Sequence, residues 1–144
     1  DKAAMAMAGD LNGDGRDEFV VYNPRYRLWN ANSLNGWRTK RYAGDRYGSG
    51  LVADVDGDGD DDLITYSASR KRWLSYSVTG SLLLNKSADG RKGDVPMTCD
   101  LDGDSRADLF FYRSEEGVFD LTGVEAAAAV QTKSWWTGRW FWGR

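Results

Sequence analysis

One nine-residue acidic stretch occurs three times, and that repetition constrains the fold more than any other feature of the chain. The copies are DLNGDGRDE at residues 10–18, DVDGDGDDD at 54–62 and DLDGDSRAD at 100–108, with first residues 44 and 46 positions apart. Self-similarity at such a period is the mark of stacked supersecondary units, each needing a neighbour to bury its apolar face.

Every copy sets an oxygen-bearing side chain at positions 1, 3, 5 and 9. These are Asp10, Asn12, Asp14 and Glu18; Asp54, Asp56, Asp58 and Asp62; and Asp100, Asp102, Asp104 and Asp108. Position 6 is small (Gly15, Gly59 or Ser105), as a sharp turn requires. Position 7 varies (Arg16, Asp60, Arg106), as expected where only its backbone carbonyl is used. Several oxygens from one short loop cage a hard cation. Calcium accepts six to eight oxygens in flexible geometry, whereas magnesium holds to an octahedron and keeps its waters, so the pattern predicts up to three calcium ions. The simpler alternative is a polar Asp/Gly turn. A turn, however, does not need carboxylates at alternate positions in three copies. Two unit charges about 4 Å apart repel by roughly 1 kcal/mol in water and about 4 kcal/mol at an effective dielectric of 20; a cation removes that repulsion. The first loop is the weakest, since Asn12 is neutral and Glu18 is longer than the aspartate of the other copies.

These loops are not EF-hands, which need a bidentate Glu at position 12 and flanking helices. Position 12 is Val21, Thr65 or Phe111, and the loops run into EFVVY, DLITY and DLFFY, β-branched and aromatic segments that read as buried strands. The three D-x-[DN]-G-D-[GS]-x-x-[DE] loops, each followed by an apolar strand ending in Tyr, resemble the FG-GAP/VCBS repeats. Those repeats are the calcium-loop β-propeller blades of integrin α-subunit heads, bacterial secreted proteins and some fungal lectins. The lead-ins SGLVAD (49–54) and GDVPMTCD (93–100) fit as well, so the resemblance covers nearly the whole chain. It departs at Glu18, at Ser105 and in the number of blades. It implies an all-β fold and a structural metal, and it leaves the ligand open.

Taken in order, the first unit has strands over 3–8, 18–22, 26–31 and 36–42, with turns at Asn23-Pro24 and Asn35-Gly36. Residues 3–8 (AAMAMA) would favour helix by their alanines; the register with the other units overrides that. The second unit has strands over 50–54, 62–66, 72–78 and 81–86. The third has 95–99, 108–112 and 117–121, then Val124–Lys133, where four successive alanines favour helix and the register asks for a strand. The expected architecture is three four-stranded β-propeller blades of about 45 residues, at 1–46, 47–92 and 93–137, with a tail at 138–144. Propellers close with four to eight blades. The ring is therefore expected to be completed by a homo-oligomer or by blades beyond this chain.

Composition adds limits. The 144 residues are 41% hydrophobic and 28% charged, which suits one soluble globular domain able to bury a core. No apolar run approaches the length of about 18 residues that spans a bilayer. Of the 22 acidic residues 14 lie in the three loops, so three calcium ions would turn the net charge of −3 into +3. Arginine and lysine are scattered, and no nucleic-acid partner is expected. The lone Cys99 stands where the other copies have Gly9 and Ala53 and reads as a small buried side chain. Extracellular calcium modules bind at about 10⁻⁴–10⁻³ M, so a secreted or extracellular location follows from the metal. The chain opens at Asp1 without Met or a signal-like segment, as a mature or excised piece would.

Without histidine there is no Ser-His-Asp or Cys-His site and no typical zinc site. Nothing marks a glycosidase pair among the remaining acids Asp45, Asp89, Asp94, Glu115, Glu116, Asp120 and Glu125, so no enzyme is expected. The leading functional expectation is recognition of a glycan. Seven tryptophans offer flat apolar faces for sugar rings, with Trp135, Trp136 and Trp140 of the aromatic tail as candidate ligand-binding residues. Trp29 and Trp73 recur on equivalent strands, with Phe119 in the third unit, and read as packing. The alternative is a calcium-stabilised protein-interaction or adhesion module.

Overall fold

The computed structural model describes residues 3–121. These form three antiparallel meanders in chain order and no helix. The first sheet is β1 (Met5–Gly9), β2 (Glu18–Asn23), β3 (Leu28–Asn32) and β4 (Arg38–Tyr42). The second is β5 (Ser49–Ala53), β6 (Asp62–Ser67), β7 (Arg72–Tyr76) and β8 (Leu82–Ser87). The third is β9 (Asp94–Cys99), β10 (Asp108–Arg113) and β11 (Val118–Asp120). The protein is all-β, built from open sheets of the propeller-blade kind. Val124–Lys133, Trp135, Trp136, Trp140 and the rest of the tail lie outside the described residues.

The alanine-rich lead-in is a strand because Ala6 and Ala8 pair with Val21 and Phe19 in the β1–β2 ladder. Pairing with a strand already committed by its β-branched residues outweighs the weak helix preference of alanine. β3 starts at Leu28 rather than at 26. Arg27 takes a left-handed conformation (φ 55°) that ends the turn, and Lys71 (φ 49°) and Gly117 (φ 67°) do the same at the equivalent places. The outer strand β4 is exposed on alternate residues, as its pattern required.

The sheets stack face to face, and the first strands, β1 beside β5 and β5 beside β9, run closest to one another. Two cores result. Between the first and second sheets lie Leu11, Val20, Tyr22, Trp29 and Leu63; between the second and third lie Ile64, Tyr66, Trp73, Leu109 and Phe111. In each, a Tyr–Trp pair forms the contact: Tyr22 stacks on Trp29 (4.2 Å), and Tyr66 and Trp73 meet Phe111 at 4.7 and 5.2 Å. Gly50 gives the first pair its room, since a Cβ there would stand 2.6 Å from Tyr22 Cδ1 and 3.0 Å from Trp29 Cη2. Both rings are fully buried and cannot retreat. Gly50→Ala should therefore cost about 1–3 kcal/mol by overpacking, seen as a lower denaturant midpoint at unchanged m-value.

Two expectations are corrected. The strands that follow the loops are not all buried: β6 is buried along its whole length, but β2 alternates, with Phe19 63% and Val21 39% exposed. β6 lies between two sheets, whereas no described residue covers the outer face of β2. Cys99 is exposed, not buried. Its counterpart Gly9 is covered by Asp61 and Val52 of the next sheet, and among the described residues no sheet follows the third.

Asp45 ties the first two sheets at their opposite end. It is buried and accepts from Arg70 Nη1 (2.6 Å) and from Arg72 Nε and Nη2 (2.8 and 2.9 Å). The Arg72 guanidinium, more than its burial, sets its acidity and holds the carboxyl below the ordinary carboxylate range.

Candidate metal centre

Each acidic stretch joins the first to the second strand of its sheet, so all three loops lie at one end of the stack. They are also bonded to one another. The Asp61 amide donates to the Asp10 carbonyl (2.6 Å) and the Ala107 amide to the Asp54 carbonyl (2.7 Å). The Asp10 amide returns a bond to Asp61 Oδ2 (2.9 Å).

Within a loop the position-1 carboxylate organises the turn. Asp54 accepts from the Gly57 and Gly59 amides (2.6 and 2.9 Å), Asp100 from Gly103 and Ser105 (2.6 and 3.0 Å), and Asp10 from Asp14 and Gly15 (3.2 and 2.7 Å). Positions 4 and 6 are left-handed throughout; Gly13, Gly57 and Gly103 serve at position 4, and Ser105, at φ 70°, manages position 6 without being glycine. This backbone turns the carboxylates towards one another. Asp54, Asp56 and Asp58 bring one oxygen each within 4.8 Å of the others, and so do Asp100, Asp102 and Asp108. A carboxylate oxygen that accepts one amide keeps a lone pair for a cation, so the oxygen-only donor sets of the second and third loops fit a hard ion such as calcium. Asp54, Asp56, Asp58, Asp62 and the Asp60 carbonyl would hold it in the second loop; Asp100, Asp102, Asp104, Asp108 and the Arg106 carbonyl in the third. Bound there, the ion would supply structural charge neutralisation. The first loop gathers no such trio: the Asn12 amide donates to Glu18 Oε1 (2.7 Å), and Asp10 and Asp14 stand with the neutral residue between them.

Position 9 does a second task that its type alone did not announce. Glu18, Asp62 and Asp108 are buried and accept the position-2 amides of Leu11, Val55 and Leu101 at 2.9, 3.0 and 2.9 Å, closing each loop on itself. Burial raises all three acids above their ordinary range, and neighbouring carboxylates add to it; Asp62 is pushed up to about 7. This gives a signed prediction for metal-stripped protein. Between about pH 4 and 7 the unfolded chain has lost the Asp62 proton while the folded chain keeps it, so stability should fall as pH rises through that window, by about 4 kcal/mol in all. Denaturant midpoints across the window should show the fall, Asp62→Asn should flatten it, and calcium should abolish it.

Position 7 offers more than the backbone carbonyl that the pattern predicts, because its side chain reaches the preceding loop: Asp60 roofs Gly13 and Arg106 roofs Gly57. No pattern within a single repeat could reveal a contact made between repeats. Of the acids outside the loops, Asp45, Asp89, Asp94, Glu116 and Asp120 sit in ion pairs with Arg70/Arg72, Lys71, Arg113, Arg91 and Arg113 respectively. Asp94 and Asp120 share the Arg113 guanidinium. Trp29 and Trp73 are buried, and Trp37 is half-buried against the first core.

Residues 6–36, from β1 through the first loop to the turn before β4, match the family model for the FG-GAP repeat. No curated protein and no solved structure matches the chain. The match supports a propeller-type repeat of the interaction-module kind.

Proposed function

We propose that this chain is a non-enzymatic, calcium-stabilised β-propeller module that recognises a protein partner outside the cell. Its single domain would comprise blades at 1–46, 47–92 and 93–137. The observation that carries the reading is the pair of carboxylate trios, Asp54/Asp56/Asp58 and Asp100/Asp102/Asp108, held on adjacent, mutually bonded loops. Like charge gathered at one end of a small domain is relieved by a bound cation, and low-affinity oxygen cages fill where calcium is millimolar. The metal is structural: it stiffens the loop end so that the sheets present a fixed surface.

A protein partner is favoured over a glycan because two of the three described tryptophans are buried and the third, Trp37, is half-buried against the first core. Trp29 and Trp73 are spent in the cores, while the exposed aromatic surface includes Tyr26, Tyr42 and Tyr47 interspersed with arginine, a composition that suits protein interfaces. Two experiments test this. Calorimetric titration of metal-stripped protein with calcium should show saturable sites numbering up to three, and Asp54→Asn with Asp100→Asn should leave at most one; absence of saturable heat sinks the calcium reading. A glycan array in millimolar calcium should be blank. Sugar-competed binding there would replace the protein partner with a lectin function and turn attention to Trp135, Trp136 and Trp140.

A further inference from the structure

We infer that two copies of this chain join head to tail, the third sheet of each lying on the open face of the other's first sheet, to close a six-sheet ring. The inference goes beyond the recognition reading and does not depend on what the module binds.

The sheet-to-sheet interface occurs twice inside the chain, and its parts recur at fixed positions. The position-2 residue tucks under the next sheet: Leu11 is fully buried and Val55 packs against the second core. The position-4 glycine is roofed by the next loop's position-7 side chain, Asp60 over Gly13 and Arg106 over Gly57. The next loop's position-8 amide donates to the position-1 carbonyl, Asp61 to Asp10 and Ala107 to Asp54. Finally, an aromatic pair packs on the back of the following sheet: Tyr22 and Trp29 against Gly50 and Leu63, Tyr66 and Trp73 against Phe111.

Each end of the stack presents one half of this same interface. At the third sheet, Leu101 is 46% exposed where Leu11 is buried, and no described residue stands within 4 Å of a Cβ placed on Gly103. Tyr112 and Phe119, the counterparts of Tyr22 and Trp29, are only half-buried, and among the described residues the Asp100 carbonyl receives no amide. At the first sheet, Phe19 and Val21 are exposed where their counterparts Leu63 and Thr65 are buried, and Arg16 is exposed. The two halves match in polarity. Phe19, Val21 and Ala6 form the apolar back face that Tyr112 and Phe119 need. Arg16 would stand over a loop carrying Asp100, Asp102, Asp104 and Asp108, as Arg106 stands over the acidic second loop. A head-to-tail contact makes a ring when its rotation closes, and two copies of the three described sheets give six, inside the range at which propellers close.

The test is sedimentation velocity of the whole chain in millimolar calcium across micromolar concentrations. Wild type should run at twice the chain mass. Phe19→Arg, on a face open to solvent in the single chain, should raise the dissociation constant by about ten-fold or more and leave the far-ultraviolet circular dichroism unchanged. Arg16→Glu should weaken the dimer more than Arg16→Ala. The Cys99 thiol, which holds the place of Gly9 and Ala53, should react slowly in wild type and fast in Phe19→Arg. A wild-type monomer at the top of the range, a dimer indifferent to Phe19→Arg, or open-ended growth with concentration would each overturn the inference.

Discussion

Stripping calcium from this protein should lower its melting temperature by roughly 10 °C. With free calcium at ten times the dissociation constant, each site that exists only in the folded state adds about 1.4 kcal/mol, so the sites of the second and third loops add about 3 kcal/mol. For a chain of this size 1 kcal/mol moves the midpoint by about 2–4 °C. The physical source is the loop end of the stack. Asp54, Asp56 and Asp58, like Asp100, Asp102 and Asp108, hold carboxylate oxygens within 4.8 Å of one another. Folding without a cation must bear that repulsion, and the unfolded chain does not. Scanning calorimetry in millimolar calcium and in chelator measures the shift. Asp54→Asn and Asp100→Asn should each remove about half of it, and magnesium should restore less than calcium. An unchanged midpoint would mean that the three loops are turns and nothing more.

Trp29→Ala should destabilise the fold by about 3–5 kcal/mol, the range for emptying a large aromatic from a core. Trp29 is 1% exposed. Its ring stacks on Tyr22 at 4.2 Å, and its Nε1 donates to the Ala43 carbonyl at 3.3 Å. Truncation therefore opens a cavity between the first and second sheets and leaves a buried carbonyl without its donor, a separate penalty. Trp29→Phe should recover most of the packing and none of the hydrogen bond. Trp37→Ala, at a half-buried position on the rim of the same core, should cost much less. Equilibrium denaturation of the three variants at constant calcium gives the ranking. If Trp29→Ala and Trp37→Ala cost the same, the first sheet does not dock on the second through the Tyr22–Trp29 pair.

Much of this was legible in the residues because the repeat reports the same physics three times. A carboxylate at positions 1, 3, 5 and 9 specifies which side chains can converge. A small residue at position 6 marks where the chain turns left-handed, and Ser105 shows that glycine itself is not required there. The β-branched and aromatic runs after each loop specify strands, and the register rescued the alanine-rich lead-in from its own helix preference. These are local properties, set by side-chain chemistry and backbone sterics within one unit.

What the tertiary structure decided concerns the relation of one unit to the next. Phe19 and Leu63 occupy the same place in their repeats and are both apolar, yet one is 63% exposed and the other 1%. Only the second lies under a neighbouring sheet. Cys99 is exposed for the same reason, though its counterparts are covered. Asp45 looked like a spare acid until Arg70 and Arg72, 25 and 27 residues later, were brought to it. Asp60 and Arg106 stand at the variable position 7, and only the stack sets them against the preceding loop. Residue type and spacing thus determined the strands, the turns and the acids offered to a cation. Which face is core, which acid is paired and which end remains open were decided by stacking, because burial depends on what covers a residue and a repeat cannot say whether a neighbour is there.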